Sequence, residues 1–513
     1  MGRFISGSGS GGATASQASG SGQVLQMKAG PLAIKRNDLV ALGGYPIGLY
    51  PIQTSDYAAV DAAGASAVAV TTTTAHGSEF RTRNRGVVDP ATGDIFIADT
   101  YMSGSVGCQI LKYSSAGAFQ RKRIVDSAHT GGQNHVQIRI LANGNLLVFW
   151  YNRATPYTLF FAIADKNLQI VVAKTAIASA STNPSPEADC MPLSGGGFAA
   201  VWSHAQVGDY FTIRDNAGAV IYAPTLIAGA PANGSGNVSG PRHKLVELSN
   251  GNIFVGIYDT SAPNRLRYCI FSSTGTVVKA YTTLANSGSG DNYSEYPEVS
   301  ALPGYVLLAH GNNAYVLNNA GTVQGDAIAL SSTGATRVLN DDTHFWVFQT
   351  SIDGFVTRRI PTSGTGVVTN TLPGINGICG DVLRERGLFV VFDNANVYVI
   401  DVDAAGSTTF VASNAVMSAP LQTIGGIGDF CAIGFQVGKF QITKYLSASI
   451  IGIAQADVPA GNTGALVTVS AGAGGYSINE IKGQEGKAYD HSEASIIGNK
   501  GVLFTNSVIL KGI

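Results

Sequence analysis

Seven carboxylates, Glu187, Asp189, Glu295, Glu298, Asp341, Asp342 and Asp381, stand beside the starts of short apolar runs. Two carboxyls held about 5–10 Å apart can hydrolyse a glycosidic bond, so a polysaccharide-cleaving pair is one reading. Acidic residues beside strands more often serve turns. The turn reading is adopted, no catalytic residue is assigned, and the chain is expected not to be an enzyme. Eight histidines, at 76, 129, 135, 204, 243, 310, 344 and 491, are scattered. His129 and His135 share the loop "HTGGQNH", whose spacing suits no standard ligand pair. No HExxH or GxxxxGK[ST] motif occurs, and "GQEGKAY" (483–489) lacks the phosphate-loop spacing. Neither a metal nor a cofactor is expected. The five cysteines are far apart, with no CxxC, and read as small buried hydrophobes in a reducing compartment.

Recognition chemistry has a better candidate. The stretch "GSGDNYSEYPE" (288–298) is long, polar and aromatic, and loops carry function. Its Asp291, Asn292, Tyr293, Glu295 and Tyr296 form the predicted binding set. Tyr157 and Tyr210 are further loop aromatics able to stack on sugars.

The elements that must hold these residues repeat. "LANGNLLVFWY" (141–151) and "LSNGNIFVGIY" (248–258) are nearly the same sequence. Apolar runs of this kind start at Ile95, Leu146, Phe198, Ile253, Tyr305, Phe345, Leu388 and Phe430, 40–55 residues apart. A second signal keeps the same period: "YSSAGAF", "IADKNLQI", "RDNAGAVI", "FSSTGTVV", "LNNAGTVQ", "IPTSGTGVV" and "DVDAAGSTT" each read as a tight hairpin. Glycine supplies the positive φ such a turn requires, with Asn167 expected in its place in the second repeat. About four strands per repeat is the spacing of propeller blades. The fold class is therefore all-β, a seven- or eight-bladed β-propeller. Continuous apolar runs suit inner strands covered on both faces. Trp150 and Trp202, at equivalent places, are read as packing between blades. The eighth repeat is short, and residues 65–74 are expected to complete it and close the ring.

Charged residues make up only 13% of the 513-residue chain and the net charge is −1. That balance argues against binding nucleic acid, which takes clustered Lys and Arg. No apolar run is long enough to span a membrane, and no signal peptide is read at the start. Residues 1–27 are a Gly/Ser-rich arm; 28–64 and 447–513 flank the propeller, which is placed at 65–446. The tail "VLFTNSVIL" (502–510) is apolar enough to want a partner chain.

Residues 193–218, "LSGGGFAAVWSHAQVGDYFTIRDNAG", resemble a repeat common in bacterial and phage proteins. The turns lack the S-x-D-x-G-x-T-W pattern of sialidase-like propellers. Asn37–Leu42 ("NDLVAL") and Ile451–Ala454 with Ala460-Gly461 resemble the two halves of a small β module of phage virion proteins, and 493–513 resembles the ends of phage fibre and tail proteins. The resemblance implies a non-enzymatic bacteriophage virion protein, of tail-fibre, decoration or adaptor type. Its small β attachment module would be built from both flanks. Arm and tail would contact other virion proteins, as a homo-oligomer assembled in the host cytoplasm, and the ring would dock or grip a host-surface glycan. A propeller enzyme cutting surface polysaccharide and a carbohydrate-binding lectin are the alternatives.

Overall fold

The computed structural model describes residues 86–102, 106–114, 119–129, 133–152, 157–180, 188–204, 207–230, 242–259, 265–286, 297–330, 336–351 and 354–372, and, outside these, the strands named below with a few residues between them. Among the described residues the strands form eight four-stranded antiparallel sheets, one six-stranded sheet and one hairpin. The chain is an eight-bladed β-propeller. Blade 2 shows the plan: Gln133–Ile140, Leu146–Asn152, Tyr157–Ala164 and Ile170–Ala180 pair in chain order. The first strands of successive blades neighbour one another from blade 1 to blade 6 and from blade 7 to blade 8, and Pro420–Gly425 of blade 8 returns to lie against Gly86–Val88 of blade 1.

The runs read as inner strands are the second strands of their blades. The true first strands are short and polar: Asp189–Pro192, Arg242–Glu247, Glu298–Leu302 and Thr336–Asn340 in blades 3 to 6. Lacking a continuous apolar run, they left no hydrophobic signature.

The second strands make the core, and their period-two alternation sends successive residues to opposite neighbours. Leu146, Val148 and Trp150 pack on blade 1 with Phe96, Ala98 and Ile110. Leu147, Phe149 and Tyr151 pack on blade 3 with Phe198, Ala200 and Trp202. The alternation continues through Val201 with Val255, Phe254 with Leu308, Leu307 with Val347, and Trp346 with Phe389. Burying each large apolar side chain contributes roughly 1.5–3 kcal/mol. Both tryptophans thus pack between blades, as expected. Cys108, Cys190 and Cys269 are buried free thiols.

Two expectations are corrected. The outer strand of blade 8 is Leu49–Ala58, paired antiparallel with Lys439–Ser447, and not residues 65–74. Proline is tolerated at an edge or bulge, and Pro51 sits opposite Tyr445 where the register shifts. The ring is closed, as foreseen, by strands from opposite ends of the sequence. In the second hairpin the left-handed residue is Leu168 (φ 61), not Asn167. Leu168 occupies the place that Gly218 (φ 78) holds in blade 3. Its side chain is buried with Trp150 and Ala164, which offsets the strain.

The fourth strands also repeat a feature. Ala173-Lys174-Thr175, Ala223-Pro224-Thr225 and Ala280-Tyr281-Thr282 each fall at a register shift. In each the threonine hydroxyl donates to the alanine carbonyl two residues back, at 2.8, 2.8 and 2.7 Å. The motif is a β-bulge that bends the outer edge.

The two flanks fold together outside the ring. Their six-stranded sheet runs Phe4–Ile5, Leu39–Leu42, Ile450–Ala454, Thr463–Thr468, Gln23–Lys28, Ser16–Gln17. Leu39–Leu42 of "NDLVAL" and the strand that holds "IGIA" pair directly, with Leu39 opposite Ile453. The propeller is an insertion between two halves of one sheet.

Candidate functional site

Strand direction gives the ring two unlike ends. One carries every turn between first and second strands and between third and fourth. The other carries the second-to-third loops and the connections between blades. The segments that join successive blades, 181–187, 231–241, 287–296, 331–335 and 373–382, vary in length and lie outside the described residues; the strand ends they join are at this second end.

The tight-turn end is built for rigidity. Asp165 Oδ1 accepts the amides of Asn167 and Gln169, and Asp215 and Asn318 repeat the arrangement. These turns are clamped blade to blade. Lys166 Nζ meets Asp89 Oδ1 at 2.8 Å, Ser194 donates from N and Oγ to Glu247, and Tyr268 donates its hydroxyl to Gly321 O at 2.6 Å. Burial pushes the Asp89 carboxyl up, but hydrogen bonds from Lys166, Ala91 N and Thr92, with the Lys166 charge, outweigh it and lower its pKa.

Asp341 and Asp342 lie at this same end, in the turn between Thr336–Asn340 and Phe345–Ser351. Asp341 accepts the Thr343 hydroxyl, the Trp346 indole N–H at 2.7 Å and the amides of Thr343 and His344. Burial works upward on this carboxyl, yet these donors carry it down to about 2. It is a turn anchor. The sequence reading grouped Asp341 and Asp342 with Asp189 and Glu298 as carboxylates beside strand starts; the structure puts the two sets at opposite ends of the ring.

Asp189 and Glu298 begin the first strands of blades 3 and 5 at the loop end, both buried. Asp189 Oδ2 accepts the Leu245 amide of blade 4 at 3.0 Å, and Oδ1 faces Arg139 of blade 2 at 3.5 Å. Gln137 Nε2 and Arg139 Nε donate to the Ala188 and Cys190 carbonyls. These side chains satisfy backbone groups that the short first strands leave unpaired. Burial pushes the Cys190 thiol up to about 12, which makes it inert.

One constellation escaped the sequence reading. Ser203, Asp209 and His243 meet between blades 3 and 4, all fully buried. Ser203 Oγ donates to Asp209 Oδ1 at 2.5 Å, and His243 Nε2 lies 3.0 Å from the same oxygen and 3.2 Å from Ser203 Oγ. A carboxylate only accepts, so Nε2 carries a proton toward it. The residue types are those of a nucleophilic triad, but the geometry is not. The hydroxyl donates to the carboxylate instead of to the imidazole, and no surface reaches any of the three. The cluster is a clasp joining two blades. Its sequence signal was a serine inside the apolar "FAAVWSH" and an aspartate straight after Gly208.

Of the aromatic candidates, Tyr210 is partly exposed and stacks on Trp202 at 5.7 Å and 12°, with His204 tilted beside it at 6.2 Å. Tyr258 and His310 stack at 3.5 Å at the same end. Asp291, Asn292, Tyr293, Glu295 and Tyr296 lie outside the described residues, as do Glu187 and Asp381. Their segment joins Val277–Asn286 of blade 4 to Glu298–Leu302 of blade 5.

No protein-family model matches the chain, and no curated protein sequence does. Solved structures resemble it. BamB from Moraxella catarrhalis is 14% identical, covering 71% of this chain and 96% of that one, with a TM-score of 0.45. The Dos1 propeller is 12% identical over 78% and 95%, at 0.48. Sqt1 from Saccharomyces cerevisiae is 9% identical over 81% and 100%, at 0.45. At such identities and scores these likenesses say nothing of what the chain binds.

Proposed function

We propose that this chain is a non-enzymatic structural protein of a bacteriophage virion, a tail-fibre, decoration or adaptor protein whose rigid ring docks to a partner or a host-surface glycan. The observation that carries the reading is the six-stranded flank sheet, which weaves strands from both sides of the ring into one mount. A ring inserted in this way has one clamped end and one loop-bearing end, and the loop end is the docking face. Two of the carboxylates that a glycan-cleaving enzyme would need are already engaged: Asp189 by Arg139 and the Leu245 amide, Asp341 by its own turn. Arm and tail would then contact neighbouring virion proteins.

The test has two parts. Antibody raised against the full chain should label purified phage particles at one defined position; particles that carry none of the chain refute the virion role. The purified chain, incubated with capsule and lipopolysaccharide of the host, should release no new reducing ends. Release abolished by substituting carboxylates at the loop end would make it an enzyme.

A further inference from the structure

We propose that the seam between the outer edges of blades 1 and 2 binds a linear acidic polysaccharide. The observation is a run of three cations, Arg121, Lys122 and Arg123, in Phe119–His129, the fourth strand of blade 1. Every other fourth strand holds at most one charged residue. One lysine, a proline or a bulge keeps such edges from pairing, so edge protection does not require three cations.

Arg121 and Arg123 face the seam. They stand two residues apart where the register is regular, opposite Lys112 and Ile110, and so share one face of the sheet. Ile110 packs on blade 2, and Arg121 Nη1 donates to the Asn167 carbonyl of the blade 2 hairpin at 2.8 Å. That bond holds one nitrogen of the guanidinium over the seam and leaves its other donors for a ligand. Both arginines are exposed.

The nearby carboxylates are already engaged. Lys112 pairs with Asp94, Lys166 with Asp89 and Lys174 with Asp126, and Asp165 accepts the amides of its own turn. Among the described residues no carboxylate pairs with Arg121 or Arg123. Asp89 and Asp126 are 1% and 5% exposed, whereas their partners Lys166 and Lys174 are 37% and 28% exposed. The seam therefore turns positive groups to solvent and keeps negative charge beneath them, in a chain whose net charge is −1.

This mixture selects the ligand. A guanidinium donates two parallel N–H bonds to a carboxylate, a geometry that suits uronic acids. Val125 and Ile170 are half-buried against the same interface, so apolar surface for a sugar ring lies beside the cations. Nucleic acid suits the seam less, because its dense phosphate charge takes more cations than are gathered here. The proposal extends the glycan part of the proposed function and does not depend on the virion part. Particle labelling tests the virion role and the purified chain tests the seam, so either can fail alone.

Polygalacturonate, with a carboxylate on each sugar, is the test ligand. The full chain should bind it in titration calorimetry, should not bind neutral dextran, and should bind more weakly as salt rises from about 50 to 200 mM. R121Q/R123Q should keep the wild-type unfolding temperature and weaken binding at least about tenfold. K279Q, which removes the single cation of the outer strand of blade 4, should bind as the wild type does. A wild type that does not bind polygalacturonate overturns the proposal. So does equal binding by R121Q/R123Q, and so does tighter binding of single-stranded DNA, which would make the seam a nucleic-acid surface.

Discussion

Leu168 offers a measurement that separates backbone strain from packing at one position. Its φ of 61 lies in the left-handed region, which costs a side-chain-bearing residue roughly 1–2 kcal/mol. Its side chain is 1% exposed and packs in the cluster of Trp150, Val148 and Ala164. Leu168→Ala keeps the strain and loses the packing, at a cost of about 2–5 kcal/mol. Leu168→Gly loses slightly more packing but relieves the strain. Glycine's extra freedom in the unfolded chain takes back about 0.5–1 kcal/mol of that relief. Leu168→Gly should therefore be the more stable of the two variants, by about 0.5–1 kcal/mol.

Urea unfolding followed by tryptophan fluorescence reads this directly, because Trp150 is fully buried in the same cluster. Both midpoints should fall below that of the wild type, with Leu168→Gly above Leu168→Ala. A Leu168→Gly midpoint at or below that of Leu168→Ala would refute the argument that the left-handed turn is strained. Asn167→Gly sharpens the contrast. If the turn needed its freedom at 167 the variant would gain stability; with the strain at 168 it gains none.

The remaining predictions concern the clasp, the acid limit and the blade edge. Removing His243 (His243→Ala) leaves the Asp209 carboxylate buried without its cation-capable partner, and should cost about 3–5 kcal/mol in thermal unfolding. Ser203→Ala, which removes a single hydroxyl, should cost about 1–3 kcal/mol. Asp341 has a folded pKa of about 2 against 3.8 unfolded, so its stabilisation is complete above about pH 4 and fades as pH falls toward 2. In Asp341→Asn that part of the acid dependence should vanish, as read by unfolding midpoints across the window. Pro224→Val turns the exposed "VIYAPTL" of blade 3 into an uncharged seven-residue strand with no breaker. Light scattering should rise with time at concentrations where the wild type stays clear.

The blade repeat was legible because its second strands are covered on both faces. A run such as "LLVFWYN" is buried at every residue, and nothing polar interrupts it. The glycine-marked hairpins gave the period a second time. The first strands were illegible for the opposite reason: Arg242–Glu247 and Thr336–Asn340 spend their side chains on neighbouring blades, through contacts such as Ser194 to Glu247 and Asn340 to Ser300 and Ala301 O. Such partners are 39 to 53 residues away in the chain, beyond any local pattern.

The same distance explains the errors about the candidate site. Local reading saw that Asp189, Glu298, Asp341 and Asp342 all stand beside strands, but not that a blade has two ends. One pair begins first strands and the other follows one, which puts them at opposite ends of the ring. The clasp as a three-residue cluster escaped for a related reason. Ser203 and Asp209 are six residues apart across a hairpin, but His243 arrives from the next blade, 34 residues beyond Asp209. Only closure of adjacent sheets brings it there. Chemistry in a propeller is thus written between repeats, and a repeat taken alone shows the frame without the groups that the frame brings together.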